Sequence, residues 1–491
     1  MRAKDVNGEW HFKPAYRLLQ ALAGGEVSSV ELVDYFRARA EAHNPAINAI
    51  VDQDFLSARA QAEAADAARA RGESWGKLHG LPMTIKDAIE VAGMKAVGGA
   101  SAFADHRPAR HATSVQRIVN EGAIIYGKTN VPFLSGDLQT YNEVYGTTNN
   151  PWDLSCGPGG SSGGAAAALA SGMSPLELGS DIGGSIRTPA HLCGVFGHKP
   201  SFGIVPKRGH IPPEPGVLSE GDLSVVGPLG LSAQDLALLL GIVAGPNEME
   251  GTGYGLTLPR PRATSPKGLR VACWFEDPFC EIDSESVALF ANAAKALEKD
   301  GAQVNWDARP GFTLEETTEC YLTLLHANVA ARMPGKVKAR WEKLKAEGDP
   351  ADKSHAMLQA RGGTLSYGDW MDWNEKRTQL RAKWADFFTR YDVMLAPVLM
   401  RPAFAHDHSS NWHERKLNVN GKERPYMDVL IWAGPAVLCY LPASVAPVGL
   451  TGDGLPVGVQ IIGPYLEDYT TIAVAGMIEQ ALGGFIPPKG F

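Results

Sequence analysis

Helical and strand-like segments alternate over all 491 residues of the chain. Residues 30–42 carry apolar side chains at a helical period, and residues 55–71 are rich in strong helix formers. Short apolar and β-branched runs, such as 81–85 and 123–126, are typical of buried strands. Because no Pro/Ser-rich linker and no internal repeat interrupts this alternation, we predict an α/β fold with one domain over residues 1–491.

Composition and charge argue against several classes of protein. The formal net charge is −8, whereas a nucleic-acid-binding surface needs a clustered basic face. The most apolar run, residues 236–244, is far shorter than the roughly 20 residues that span a bilayer. Residues 1–10 are polar and lack the apolar stretch of a signal peptide. We therefore expect a cytoplasmic protein with no nucleic-acid partner and no membrane segment.

The cysteine and histidine patterns bear on disulfides and metals. The six cysteines have no short paired spacings, which predicts reduced, mostly buried thiols in a chain of this length. Residues 406–408 read His-Asp-His, with His413 nearby, and imidazoles are common metal ligands. A polar loop of this kind is more often simply solvated, and no second group of ligands accompanies it. We predict no metal and no cofactor.

Two motif matches occur in the wrong context. Residues 122–129 fit the P-loop pattern, but Gly122 follows a helix and the next four residues resemble a strand, the reverse of what a phosphate loop requires. Residues 160–164 fit G-x-S-x-G, but residues 153–158 before them do not form the strand that precedes a nucleophile elbow. We predict neither nucleotide binding nor a Ser-His-Asp triad.

Two glycine- and serine-rich segments, 157–164 and 179–187, are the strongest candidates for chemistry. Glycines let a backbone approach a ligand closely, and successive amides in a turn can bind an anion. Ser185 ends such a turn, beside a potential oxyanion hole. Lys86 follows an apolar strand, and burial would lower its pKa enough for it to act as a base. Alternatively, each segment is an ordinary turn and Lys86 pairs with Asp87.

These segments resemble the core of the amidase signature family. The resemblance rests on Gly159-Gly160-Ser161-Ser162-Gly163-Gly164 followed by Asp181-Ile182-Gly183-Gly184-Ser185-Ile186-Arg187. Ser161 and Ser185 are 24 positions apart, and Lys86 precedes Ser161 by 75, spacings that also fit the family. Further similar segments lie at 127–130, 150–152, 197–201, 227–229 and 454–460, so the resemblance spans nearly the whole chain and is weak only from about 252 to 390.

The resemblance implies a role for each residue of the site. Ser185 would be the nucleophile, Ser161 the bridging serine that relays its proton, and Lys86 the base. The family pattern also implies a cis peptide bond before Ser161. An acyl-enzyme mechanism of this kind needs no metal or cofactor. The expected oxyanion donors are the backbone amides of Ile182, Gly183, Gly184 and Ser185, and the expected supporting residues are Gly160, Ser162, Asp181 and Arg187.

The resemblance also implies a fold. We expect a single α/β domain in which helices surround a large, twisted mixed sheet. Residues of about 75–235 would form the signature core with the catalytic groups. Residues of about 252–390 would form a lid or a substrate-specific segment, and whether 316–363 is mobile stays open.

The substrate is less constrained. Residues 132–135 depart from the pattern of tRNA-dependent amidotransferase A subunits, and Leu231 and residues 439–442 depart from the more usual pattern of the family. Together these departures favour an independent hydrolase. We expect small-molecule hydrophobic or aryl amides, with esters and carbamates as further substrates. The alternatives are an ammonia-releasing, glutamine-dependent component of an amidotransferase complex, and a non-catalytic binding module. A homodimer is a possible assembly. Candidate pocket residues, each of which could instead pack in the core, are Phe133, Trp432, Tyr440 and Leu441.

Overall fold

A computed structural model describes residues 10–491 of the chain. Residues 1–10, which were expected not to form a signal peptide, lie outside the described residues except for Trp10. The helices are α1 (Ala15–Gly24), α2 (Ser29–Ile47), α3 (Phe55–Ala70), α4 (Thr113–Asn120), α5 (Gly163–Ala170), α6 (Arg187–Cys193), α7 (Ala233–Val243), α8 (Ser284–Lys299), α9 (Leu314–Ala330), α10 (Gly335–Glu347), α11 (His355–Gly363), α12 (Tyr367–Arg390), α13 (Gly434–Leu438) and α14 (Asp468–Leu482).

The strands form one large sheet and two small hairpins. They are β1 (Ile50–Gln53), β2 (Pro82–Lys86), β3 (Ile124–Thr129), β4 (Tyr141–Asn142), β5 (Gly146–Thr147), β6 (Leu176–Asp181), β7 (Phe196–Lys199), β8 (Val225–Gly230), β9 (Arg270–Cys273), β10 (Gln303–Asn305), β11 (Val393–Ala396), β12 (Lys416–Val419), β13 (Lys422–Pro425), β14 (Ala443–Leu450) and β15 (Pro456–Ile462). The large sheet has 11 strands in the order β1-β3-β2-β6-β8-β7-β14-β15-β11-β9-β10.

The large sheet is mixed, as expected. Strand β2 pairs in parallel with both β3 and β6, whereas β6 and β8 run antiparallel. Every residue of β2, β3, β6 and β8 is buried, as in central strands covered on both faces. Helices provide that cover, with α5 against β6, α7 against β8 and α14 against β14. The predicted α/β class is confirmed.

Local signals in the sequence identified several elements correctly. Ser28 and Glu31 form a reciprocal capping box at the start of α2, and the Ser232 side chain caps α7 by accepting from the Asp235 amide. Residues 124–129, the larger part of the P-loop match at 122–129, form strand β3. All six cysteines are free and buried, as predicted. No helix within residues 10–491 is long and apolar enough to cross a membrane.

One segment differs from the sequence-based interpretation, whereas a second, 316–363, is helical as its sequence indicates. The glycine-rich segment 179–187 is not a turn from its start, because Gly179, Ser180 and Asp181 complete strand β6 and the chain turns only afterwards. The charged stretch 316–363 consists of three helices, α9 to α11, and α10 has no buried residue. Helix α10 contacts α11, which in turn packs on α9.

Candidate active site

The candidate residues lie where two neighbouring parallel strands end. Lys86 is the last residue of β2 and Asp181 the last of β6, and these strands pair through Thr84 with Glu177 and Ile85 with Leu178. Parallel neighbours end at the same edge of a sheet, so the lysine and the turn after β6 face the same region. The edge at the carboxyl ends of the strands is where open α/β sheets commonly bind ligands.

Lys86 is surrounded by three serine hydroxyls. Its Nζ lies 2.6 Å from Ser161 Oγ, 3.1 Å from Ser162 Oγ and 3.0 Å from Ser180 Oγ. The peptide bond between Gly160 and Ser161 is cis, as expected from the resemblance. The alternative in which Lys86 pairs with its neighbour is not observed, because the Asp87 carboxylate accepts from backbone amides at residues 97 and 98.

The surroundings of Lys86 change its acidity. The side chain is fully buried, and burial lowers the pKa of Lys86 to about 7, against the opposing attraction of Asp181, Glu177 and Asp87. Removing a cation from water disfavours its charged form, which is the dominant effect here. A lysine with this pKa is substantially neutral near pH 7 and can accept a proton.

The turn after β6 carries Ser185 and is held by a buried ion pair. Arg187 donates to the Asp181 carboxylate from Nε at 3.0 Å and from Nη2 at 2.9 Å, and both side chains have no exposed surface. Burial raises the pKa of Asp181, but the charge and hydrogen bonds of Arg187 outweigh burial and bring it down to about 2. The carboxylate is therefore a permanent anion that fixes the turn from inside.

The backbone of this turn brings the two serine segments together. The Ser162 amide donates to the Ser185 carbonyl at 3.0 Å, so the residue after Ser161 contacts the candidate nucleophile. Gly184 has a φ of 101°, a left-handed conformation that favours glycine. A Cβ at Gly184 would also lie 2.7 Å from Thr188 Oγ1. This position therefore requires glycine for both conformation and space.

One of the four expected oxyanion donors is engaged elsewhere. The Gly184 amide donates to Asp181 Oδ1 at 2.9 Å, so the prediction that it joins the oxyanion hole is not met in this structure. Within residues 10–491, the amides of Ile182, Gly183 and Ser185 have no hydrogen-bond acceptor. Free amides beside a serine can stabilise a developing oxyanion, which leaves three candidate donors.

Two contacts at the site were not predicted. The Tyr321 hydroxyl, from α9, donates to the Ile182 carbonyl at 2.8 Å and so supports the turn from the weakly matching segment. His210 Nε2 lies 2.7 Å from Ser180 Oγ, one of the three hydroxyls around Lys86. Ser180 stands within the glycine-rich motif and could have been found there, whereas no local signal marks Tyr321 or His210.

A cavity of about 270 Å³ is lined by residues that include Phe133, Asp137 and Trp412 but none of Lys86, Ser161 and Ser185. A Cβ placed on Gly160 would lie 2.7 Å from the Asp137 carbonyl oxygen, which puts the cavity wall against the residue before Ser161. The Asp137 carboxylate is paired with buried Arg415 at 2.7 Å, so its charge is compensated. The cavity lining combines aromatic rings, such as Phe133 and Trp412, with polar side chains, such as Asn142 and Glu143.

The four predicted pocket residues fall into two groups. Phe133 lines the cavity with 56% of its surface exposed. Trp432 is buried against Trp274 and donates from its indole to the Cys280 carbonyl, so its side chain belongs to the core. Leu441 is buried as well. The partly buried Tyr440 stacks on Phe202, and its hydroxyl donates to Asp222.

The histidine-rich loop makes ordinary polar contacts. His406 Nε2 lies 3.1 Å from Asn149 Oδ1, and His408 stacks on Tyr141. Nowhere in the described part of the chain do three or more His, Cys, Asp or Glu side chains converge as metal ligands would.

Comparisons with known proteins identify the family of this chain. The amidase family profile matches residues 31–472. The A subunit of glutamyl-tRNA(Gln) amidotransferase from Synechococcus sp. strain CC9902 is 33% identical, covering 94% of this chain and 95% of that protein. Its counterpart from strain CC9605 is 34% identical, with coverages of 94% and 95%. The crystal structure of a bacterial aryl acylamidase superposes with a TM-score of 0.81 at 25% identity, covering 96% of this chain and 97% of that one. The chain therefore belongs to the amidase signature family, whose enzymes hydrolyse C–N bonds.

Proposed function

We propose that the protein hydrolyses amides through an acyl-enzyme on Ser185, with Ser161 and Lys86 moving the proton. The observation that carries the proposal is the 2.6 Å contact between Lys86 Nζ and Ser161 Oγ in a fully buried setting. The hydrogen bond from the Ser162 amide to the Ser185 carbonyl supports the relay, because it joins Ser185 to the residue that follows Ser161. A nucleophile activated by a positioned base is the general signature of covalent catalysis.

The first half of the reaction forms the acyl-enzyme. Neutral Lys86 accepts the Ser161 proton while Ser161 accepts the proton of Ser185, whose oxygen attacks the amide carbonyl carbon. The oxyanion of the tetrahedral intermediate accepts hydrogen bonds from free amides of the turn, such as those of Gly183 and Ser185. When the intermediate collapses, the C–N bond breaks and the departing nitrogen takes a proton from Lys86 through Ser161.

The second half releases the acid. Water attacks the ester carbonyl carbon on Ser185, and its proton passes to Lys86 by the same relay. Collapse of the second tetrahedral intermediate breaks the ester C–O bond and returns the proton to Ser185. Both halves use the same base and the same oxyanion site, so Lys86 and Ser161 transfer every proton of the reaction.

The direct test compares wild-type protein with Ser185→Ala on a panel of anilides, primary amides, esters, carbamates and glutamine. We expect turnover of at least one amide by the wild type and its loss in Ser185→Ala. Ser174→Ala is a matched control, because Ser174 is a buried serine whose hydroxyl contacts Thr84 rather than Lys86. Equal activity of Ser185→Ala and wild type would refute the proposal.

Two substrate classes fit this machinery. The aromatic rings in the cavity lining, such as Phe133 and Trp412, and the similarity to an aryl acylamidase support hydrophobic or aryl amides. The amidotransferase A subunits, at 33% and 34% identity, support glutamine as the ammonia source within a complex, and by identity they favour this second candidate. The departures at residues 132–135 count in the opposite direction, because Phe133 of this segment lines the cavity.

The two candidates predict different behaviour of the isolated protein. A free-standing amidase turns over anilides alone and releases little ammonia from glutamine. A component of an amidotransferase is idle alone and releases ammonia from glutamine only when its partner proteins are added. Anilide turnover by the isolated chain, measured as arylamine release, would therefore exclude the partner-dependent candidate, and partner-dependent ammonia release would exclude the first.

A further inference from the structure

The proposed relay depends on where the hydrogens of the three hydroxyls around Lys86 point. A neutral lysine amine has two N–H donors and one lone pair, and each hydroxyl has one hydrogen to donate. For the proposed relay, the lone pair must accept from Ser161. The hydrogens of Ser162 and Ser180 must therefore point elsewhere, or they compete with Ser161 for the same lone pair.

The structure gives both hydrogens another acceptor. The Ser162 hydroxyl donates to the Ser180 carbonyl at 3.3 Å. The Ser180 hydroxyl lies 2.7 Å from His210 Nε2. His210 Nδ1 lies 3.1 Å from the Pro212 carbonyl oxygen, which can only accept, so the proton of a neutral imidazole is assigned to Nδ1. Nε2 is then an acceptor, and the Ser180 hydrogen points to it.

We propose that His210 is a positioning residue that turns the Ser180 hydroxyl away from Lys86, which leaves Ser161 as the proton donor to the lysine. The inference rests on the function proposed above and adds a residue to it. In the opposite tautomer, Nε2 would donate to Ser180, and the Ser180 hydrogen would turn towards Lys86.

The backbone places His210 at this point. Residues 209–211 run beside residues 88–90, just after Lys86, with an Ile89–His210 bridge, and the Ile211 amide donates to the Ala88 carbonyl at 2.7 Å. The imidazole is partly buried. Burial, the Lys86 charge and the Lys207 charge lower the pKa of His210 to about 3 against the opposing Pro212 carbonyl, consistent with a neutral ring.

The same arrangement suits both protonation states of the lysine. When Lys86 holds three protons, each N–H meets one of the three hydroxyl oxygens, and the hydrogens of Ser162 and Ser180 stay where they are. Only the Ser161 hydrogen changes partner. A site whose dipoles need not reorient during proton transfer is preorganised for that transfer.

The test compares His210→Phe, which removes the acceptor, with His210→Gln, whose amide oxygen can replace Nε2. We expect kcat to fall at least about tenfold in His210→Phe with KM unchanged, a part of the 10²–10⁴ that general-base catalysis contributes. We expect His210→Gln to restore most of it. His106→Phe is the matched control, because His106 bonds Glu90 in the same region and should keep wild-type kcat. Wild-type kcat in His210→Phe, or no recovery in His210→Gln, would overturn the proposal.

A second measurement does not depend on turnover. Ring-¹⁵N-histidine NMR of the resting wild-type protein, with the His210 signals assigned by their absence in His210→Gln, reports the tautomer. We expect the proton on Nδ1, and a proton on Nε2 would overturn the proposal. Because Ser185→Ala should keep this tautomer, failure of the proposed function and failure of this inference are told apart.

Discussion

The acidity of Lys86 predicts how activity depends on pH. If the neutral amine is the base, kcat follows the neutral fraction of Lys86, which a pKa of about 7 sets at half at pH 7. The fraction is about one in eleven at pH 6 and about ten in eleven at pH 8. With the ordinary value of 10.5, only about three molecules in ten thousand would be neutral at pH 7.

The sign of the effect follows from the form that works. A base must be deprotonated, so activity is lost as pH falls through the folded-state pKa of Lys86 and is fully present above it. We expect kcat for any amide that the protein turns over to rise about fivefold from pH 6 to pH 7 and about twofold from pH 7 to pH 8, then to level off.

A second buried lysine provides the control. Lys199 donates to the Pro200 carbonyl, and burial together with the Arg187 charge lowers the pKa of Lys199 to about 7 as well. We expect kcat of Lys86→Met to fall by about 10²–10⁴ and to lose the acid limb, which is the decrease in activity between pH 8 and pH 6. We expect Lys199→Met to keep the wild-type kcat and the acid limb. An acid limb that persists in Lys86→Met, or that disappears in Lys199→Met, would refute the assignment of the base.

Three substitutions test the surroundings of the site. Arg187→Met leaves the Asp181 carboxylate buried without its partner, so we expect a loss of about 3–5 kcal/mol in denaturant unfolding, and an unchanged midpoint would contradict the structural role of this pair. Phe133→Ala alters an exposed cavity wall, so KM for a hydrophobic amide should rise while kcat and the unfolding midpoint stay the same. Trp432→Ala empties a core position and should cost about 3–5 kcal/mol of stability, whereas a small loss would return Trp432 to the pocket wall.

Local sequence patterns predicted the strand that carries Lys86 and the motifs that carry the two serines. The apolar run before Lys86 indicated a buried strand, and β2 is buried throughout. The spacing of Lys86, Ser161 and Ser185 can be read from the sequence. In the structure Lys86 contacts Ser161, and Ser162 contacts Ser185.

The remaining features depend on how distant elements meet. Tyr321 reaches the Ile182 carbonyl from α9, 139 positions along the chain, and His210 reaches Ser180 across 30 positions. No periodicity or capping signal encodes such contacts. Similarly, an aromatic side chain such as Trp432 has the same local appearance in a core and in a pocket wall, and only packing decides between them.

The oxyanion hole illustrates a different limit. The sequence indicates a turn with several amides that could point the same way, but it does not tell which of them another side chain will use. In the structure the Asp181 carboxylate takes the Gly184 amide, because Arg187 keeps that carboxylate charged inside the turn.

Covalent labelling of the nucleophile tests the central claim most directly. An aryl sulfonyl fluoride reacts with an activated serine by forming an oxygen–sulfur bond and releasing fluoride, and peptide mass spectrometry locates the sulfonyl group. We predict one sulfonyl group per chain on Ser185, loss of activity in proportion to labelling, and no label in Ser185→Ala. Inactivation with the label on another residue, or with Ser185 unlabelled, would contradict the account.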